Sequence, residues 1–398
     1  MARQEGGAWR AALESSPGVI PPFGDAAWEG IKPQAGSTLK EEPTLSELIF
    51  LTNDLDPIDA EVTKRAVAGT LNMVLEAPAT AGAAPSLDKF FTGLMGTKVT
   101  TAAMANPSLV NESNVEVDEV DANLVAGMSI LLKIVDNGVN KDWPTAVIAI
   151  TENMSPTADN LEIFPPLPSG ATLQGGFVSI TGGVHYRPKV STTTDVSLPS
   201  LAFSRLYDDI DEYWTWGEAK ISQMNMDMSV GNFITPSFNV VAKEENVADG
   251  ETGTVAASSV ANPMVPLGMA VALDSDRPTW ISSIGLNFNN ALGEKEGVES
   301  ETGLTGHSEN TREVTVGLNF QYENKDELIK AKSATKRQLH VSGKRSVGGS
   351  NRWFSAFFGK MVATSIDTPV SERLLKYDIT FKAFRWQTGS DLMFLSFM

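Results

Sequence analysis

Acid–base or metal chemistry in this chain would have to begin at three histidines, His185, His307 and His340, which are scattered along its length. An imidazole works as a base or a ligand when a second group is held beside it. Here each stands apart from the others, two of them in strand-like stretches, and each reads as a polar residue satisfied by its surroundings. His307, Ser308 and Glu309 imitate the HxE of zinc deaminases, but that centre also needs PCxxC and the chain has no cysteine. The same lack removes disulfides and thiolate metal sites. There is no GxxxxGKS/T, no GxGxxG behind a strand, no HExxH and no GxSxG. Acidic residues bunch at Asp208, Asp209, Asp211 and Glu212, and at Asp249 and Glu251, without EF-hand spacing, so solvated or lumenal charge is the better reading. Met224, Met226 and Met228 alternate with Asn225 and Asp227; without cysteine or a nearby histidine they read as core filling, not as a soft-metal site. No enzyme and no cofactor is expected.

The charge balance points the same way. The 398 residues hold 31 basic and 49 acidic side chains, a net charge of −18 with a pI near 4.6. Such a surface repels a phosphate backbone, because binding DNA requires Lys and Arg to displace its counterions. Basic residues gather between Lys325 and Arg345, with Lys336, Arg337, Lys344 and Arg345 as a candidate inter-subunit surface; separate acidic and basic faces suit head-to-tail contact between copies. The first residues lack the apolar stretch of a signal peptide, so synthesis in a cytoplasm is expected. The longest apolar run, Leu124 to Leu132, ends at Lys133 and falls short of the roughly 20 residues of a spanning helix.

The elements carrying these residues are mostly strands. Between Trp280 and Lys332, Ile284, Leu286 and Phe288 share one face of a first strand, and Val314, Val316, Leu318, Phe320 and Tyr322 one face of a second. A short helix follows, with Asn324 as N-cap, Asp326 and Glu327 in its first turn, and Lys330 and Lys332 in its last. An echo lies between Leu45 and Gly96: Leu71, Met73 and Leu75 alternate, then Leu87, Phe90, Phe91 and Leu94 take helical spacing behind a Ser86 cap, closed by Gly96. Strand, loop, strand, helix therefore occurs twice, which suggests an internal duplication.

The remaining organisation follows from texture. Residues 1–42 form an extended arm, with Trp9 and Trp28 anchoring it on a neighbouring surface upon assembly. Residues 43–96 and 191–245 make a first, discontinuous domain. Residues 97–190, which include an irregular acidic run from Glu112 to Asp121, are an inserted all-β module of four to six strands. Residues 246–270 are a linker and 271–398 a second domain. The parity change between Ile221 and Met224 predicts a β-bulge near Ser222. Four strands close the chain, the third with Leu375, Tyr377, Ile379, Phe381 and Ala383 on one face.

The stretch SLAFSRLYDDIDEYWTWGEAKISQMNMDMSVGNFITPSFNVVAKEE resembles the most recognisable part of the tail tube proteins of long-tailed, siphovirus-type phages. WISSIGLNFNN through REVTVGLNFQYENKDELI is similar to the segment that follows it there. The resemblance covers most of Pro43 to Gly96 and Leu198 to about Ala331; residues 97–190 exceed the simplest members. It implies a mainly β tail-tube fold, a two-sheet β-sandwich or barrel with a flanking α-helix, here in tandem. It also implies a structural virion protein, made in the host bacterial cytoplasm, whose stacked rings form the tube that delivers phage DNA. Trimeric rings with pseudo-sixfold symmetry are expected, hexamers being the alternative. Tape measure, tail terminator and distal tail proteins are the implied partners. Ser283, Asn287, Asn289, Thr315, Asn319 and Asn72 would face the channel, and the polar loop with Glu294, Glu296, Glu299 and Glu301 would reach the adjacent ring. A distal tail or decoration protein is one alternative. An outer-membrane β-barrel is another, disfavoured by the helices between strands and by the N-terminus.

Overall fold

The computed structural model describes residues 8–48, 59–152, 158–189, 197–207, 212–249, 261–266, 268–274, 278, 281–298, 300, 304–321, 326–368, 370–371, 374–386 and 392–398. The molecule is mainly β, as the alternation predicts. Its first set of elements is β1 (Ala8–Leu13), β2 (Thr38–Leu48), β3 (Asp59–Asn72) and α1 (Asp88–Met95). After these, β4 (Gly96–Thr100) and β5 (Val184–Pro188) bracket the insert, followed by β6 (Leu201–Tyr207), β7 (Glu212–Ser229), β8 (Thr235–Ala242) and β9 (Glu244–Asp249). The second set is β10 (Ala270–Leu273), β11 (Ile281–Asn289), β12 (Glu313–Gln321), α2 (Asp326–Lys332), β13 (Arg337–Val347), β14 (Ser350–Asp367) and β15 (Leu374–Ala383). A last strand, β16 (Phe394–Phe397), closes the chain.

Eight of these strands form one antiparallel run in the order β2, β3, β8, β7, β11, β12, β15, β14. Period two puts Leu71, Met226, Phe238, Leu286, Val316 and Phe381 on its buried face. Across the core lies a second layer, β10, β13, β14, β16, β5, β4, while β9, β7, β6 and β1 make a third patch. Strands β7 and β14, each 18 residues long, serve two sheets apiece. They turn at bulges, the first at Ser222, where the register slips between Ile221 and Gln223, and the second at Thr364, between Ala363 and Ser365. A bulge adds one residue to one side of a ladder and bends the strand.

The pairing order of the first set, β1, β6, β7, β8, β3, β2, recurs in the second as β10, β13, β14, β15, β12, β11. Helix α1 is sunk in the core, where Phe91 touches Tyr186, Phe238 and Phe397. It ends on Gly96 at φ 87°, a left-handed conformation that suits glycine. Its N-cap is Leu87 with no side-chain cap, so Ser86 does not cap it; burial of Phe90, Phe91 and Leu94 holds the helix instead. Helix α2 carries its acids first and its lysines last, as expected. Asn324 and Tyr322 lie outside the described residues.

Within residues 97–190, six strands between Ser108 and Leu173 make a separate sheet with its own core around Val115, Leu132, Ile134 and Val147. That core also takes in Ala272, Phe357 and Phe394, from the side of the second layer that faces away from the eight-stranded run. The expected irregular acidic run is a hairpin, Ser108–Asn111 against Asn114–Val117. The expected loop from Ala291 to Thr311 also contains a hairpin, Gly293–Glu296 against Leu304–Ser308, because Leu304 and His307 are apolar or compact enough to bury. The expected arm is extended, but Ala8–Leu13 pairs with β6 of its own chain and Trp9 stacks on Trp216 at 5.3 Å, so its anchor is intramolecular. The expected linker begins as strand β9, paired on β7.

Candidate channel wall and subunit edges

The face of the eight-stranded run opposite the core is built of small polar residues. Period two leaves them there once Leu, Val, Ile and Phe take the inner face. One row crosses six strands, Asn72, Ser237, Asn225, Asn287, Thr315 and Lys382; another runs Ser229, Ser283, Asn319, Asp378 and Asp367. All six sequence-derived wall residues, Ser283, Asn287, Asn289, Thr315, Asn319 and Asn72, share this face and are half-buried. They are tied across strands: Asn225 Oδ1 accepts from Asn287 Nδ2, Asp378 from Asn319 Nδ2, and Asn239 Oδ1 accepts the Thr70 hydroxyl at 2.9 Å. Such ladders hold side chains flat against the sheet.

Charge on this face comes partly as pairs. Lys40 lies 2.7 Å from Glu42 and Lys382 lies 2.7 Å from Glu313, while Asp227, Asp367 and Asp378 add carboxylates. Neutral amides and hydroxyls alternate with a slight acidic excess, a surface with no cluster of cations for phosphate among the described residues. At its two ends the run stops at β2, paired only with β3, and at the second half of β14, paired only with β15 among the described residues. These are unpaired strand edges.

Other residues singled out from the sequence lie elsewhere. Arg337 is not a surface cation: it is 1 % exposed, its Nε 2.7 Å from Asp274 and its Nη1 on Glu327. Its aliphatic stem follows the inward parity of β13, and two carboxylates compensate its charge. Burial alone would raise the Glu327 carboxyl, but Arg337 and Lys330 outweigh it and hold that group below its usual range. Lys336 and Lys344 are exposed, Lys344 over the Trp353 ring at 5.7 Å, and Arg345 stands opposite Arg352. Glu294 and Glu296 both bind Lys64 of β3, which ties the inner part of the hairpin to its own sheet. Glu299 and Glu301 lie outside the described residues, as do Asp208, Asp209, Asp211 and Glu251.

The histidines are structural. His185 sits between the Thr101 hydroxyl at 3.1 Å and the Ser396 hydroxyl at 2.9 Å, and burial pushes its pKa down to about 4. His340 meets Ser129 at 3.3 Å, where the insert seats on β13. His307 is lowered by burial and by Lys220, whose ammonium binds Glu309 at 2.9 Å; the HxE look-alike is thus an ion-pair site. Among the described residues no group of three or more His, Asp or Glu is placed to hold a metal ion. No helix among them is long and apolar enough to cross a membrane.

A family model described as phage tail tube protein matches residues 7–383, nearly the whole chain. The chain belongs to the phage tail tube protein family. A search of the curated proteins finds no match. As a member, this tail tube chain is a structural component of the virion tail, in a family whose members self-assemble into a tube. Its eight-stranded run has a polar face and, among the described residues, an outer edge without a partner at each end. The edges were not visible in the sequence, since alternation marks faces and says nothing of which strand lacks a partner.

Proposed function

We propose that the chain closes head to tail into trimeric rings that stack into the hollow tube of a long, non-contractile tail, and that phage DNA is delivered through it. The observation that carries this reading is the eight-stranded run, apolar on one face, amide- and hydroxyl-rich on the other, with a strand at each end whose outer edge has no partner among the described residues. Eight strands from each of three chains make a wall of about 24 strands. At about 4.8 Å per strand and a tilt of about 40°, its backbone diameter is roughly 48 Å, against about 32 Å for two chains. After about 5 Å of side chain on each side, the larger ring leaves a duplex room for its ion atmosphere, and the smaller one does not.

Ser283, Asn287, Asn289, Thr315, Asn319 and Asn72 then line the channel and let DNA slide without capture, while the carboxylates repel it within a Debye length of about 8 Å. The insert, seated on the layer remote from this face, decorates the outside. In this reading the hairpin of Gly293–Glu296 and Leu304–Ser308, beyond whose first strand Val298 is fully exposed, meets the adjacent ring. Tape measure protein inside, and terminator and distal tail proteins at the ends, are the partners this role requires. The test is negative-stain and cryo-electron microscopy of concentrated purified protein: hollow filaments with threefold rings are expected. A protein that stays monomeric under every condition and is missing from the shaft of virion tails would overturn the role.

A further inference from the structure

The chain contains within itself one finished copy of the joint that its two bare edges lack. Where β7 meets β11, the two halves of the molecule are sewn together: residues 223–229 pair antiparallel with residues 289–283, so that Asn225 faces Asn287 and Gln223 faces Asn289. The bulge before this joint is held by the Ser222 hydroxyl, which donates to the Asn239 carbonyl at 3.1 Å. Strand β14 repeats the device, its Thr364 hydroxyl donating to the Thr380 carbonyl at 3.1 Å. Thr364 is thus the counterpart of Ser222, and residues 365–367 are counterparts of residues 223–225.

The other edge aligns equally well. Leu286 faces Val316, which faces Phe381; Leu39 faces Gly69, which faces Val240. Phe381 then faces Ala363 just before its bulge, and Val240 faces Ile221 just before its own. Leu39 is therefore the counterpart of Leu286, both of them buried, and Lys40 of Asn287.

We propose that β14 of one copy pairs antiparallel with β2 of the next copy in the register of β7 on β11, which sets Asp367 directly opposite Lys40 of the next copy. This rests on the ring reading above and gives it a register. The asparagine pair of the internal joint is replaced between copies by an ion pair. In the single chain Asp367 stands opposite Asp378 on β15, two carboxylates whose repulsion a cation on the open side relieves. Lys40 is exposed and pairs with Glu42, itself exposed. Ile366, half-buried at the bare edge, becomes covered as its counterpart Met224 already is. Because the two edges differ, the contact is heterologous and propagates in one direction until a ring closes.

The absence of native cysteine makes the test clean. Directly opposed strand residues have Cα atoms about 4.5–5.5 Å apart, inside the range of about 4.4–6.8 Å for a disulfide. Tubes of K40C/D367C, once oxidised, are expected to run on a non-reducing denaturing gel as one covalent ring, and as single chains after reduction. In E42C/D367C the pair is diagonal, about 7–8 Å apart, and single chains are expected throughout. As a second arm, K40E is expected to lose assembly and K40E/D367K to recover it. If the wild type forms tubes but the E42C pair cross-links in place of the K40C pair, or if the charge swap fails to restore assembly, the register is wrong and the ring stands. If the wild type forms no tubes, ring and register fall together.

Discussion

Arg337→Met would measure how strongly the second set of elements is held by its buried charge. Arg337 ties the turn after β10, through Asp274, and the first turn of α2, through Glu327, to the start of β13. Methionine keeps most of the aliphatic volume, so the loss reports charge more than cavity. It leaves Glu327, with a side chain 13 % exposed, facing only Lys330 at 3.2 Å. Removing one partner of a buried pair costs about 3–5 kcal/mol, and the low end applies because Lys330 remains. The Asp274 contact, 35 % exposed on the acid side, adds less than about 1 kcal/mol after solvent screening.

The pH dependence has a definite sign. In the wild type the folded Glu327 pKa is lowered, so its contribution is present above the ordinary value of 4.5 and is lost as pH falls through the folded value. In Arg337→Met, burial is left dominant and raises that pKa above the unfolded value, so the penalty is present at neutral pH and fades as pH falls towards the ordinary carboxylate value. Urea denaturation of unassembled protein, followed by tryptophan fluorescence, should therefore show a gap of about 3 kcal/mol at neutral pH that narrows in acid. A gap under about 1 kcal/mol, or one that does not change with pH, refutes the argument.

Two further outcomes follow from the structure. His185 has a folded pKa depressed from 6.5 to about 4, so its neutral burial contributes stability that is complete above 6.5 and is lost as pH falls to 4, about 3 kcal/mol in all. His185→Asn should flatten that slope, and an imidazole proton signal titrating near the ordinary value in the folded protein would contradict it. Gly69→Ala places a Cβ 2.0 Å from the Thr38 carbonyl and 2.6 Å from the Leu39 Cα, which forces β2 off β3. Amide exchange across Thr38–Thr44 should quicken and tube formation should drop while the core stays protected; unchanged exchange with normal tubes would show that the edge tolerates the methyl.

Period-two alternation is a local property, so Ile284, Leu286 and Phe288, or Val314 to Phe320, announce their buried faces and, by subtraction, the polar face opposite. Local counting also locates the bulge at Ser222, because an extra residue changes parity within the strand itself. The Gly96 cap and the charges of α2 are legible for the same reason, since a helix end is completed by its own neighbours. The Ser86 cap fails because packing of Phe90 and Phe91 settles where that helix starts. The burial of Arg337 and the role of Lys64 are not legible in the sequence, because an ion pair joins residues distant along the chain: Asp274 for the first, Glu294 and Glu296 for the second. The Trp9 segment reads as an arm for a neighbouring surface because its partner strand in the same chain, β6, comes nearly two hundred residues later. By itself the sequence determined which residues turn inward and that the architecture is written twice. Which strands are left without a neighbour was decided only when the chain closed on itself, because an edge is defined by pairings between strands far apart in sequence.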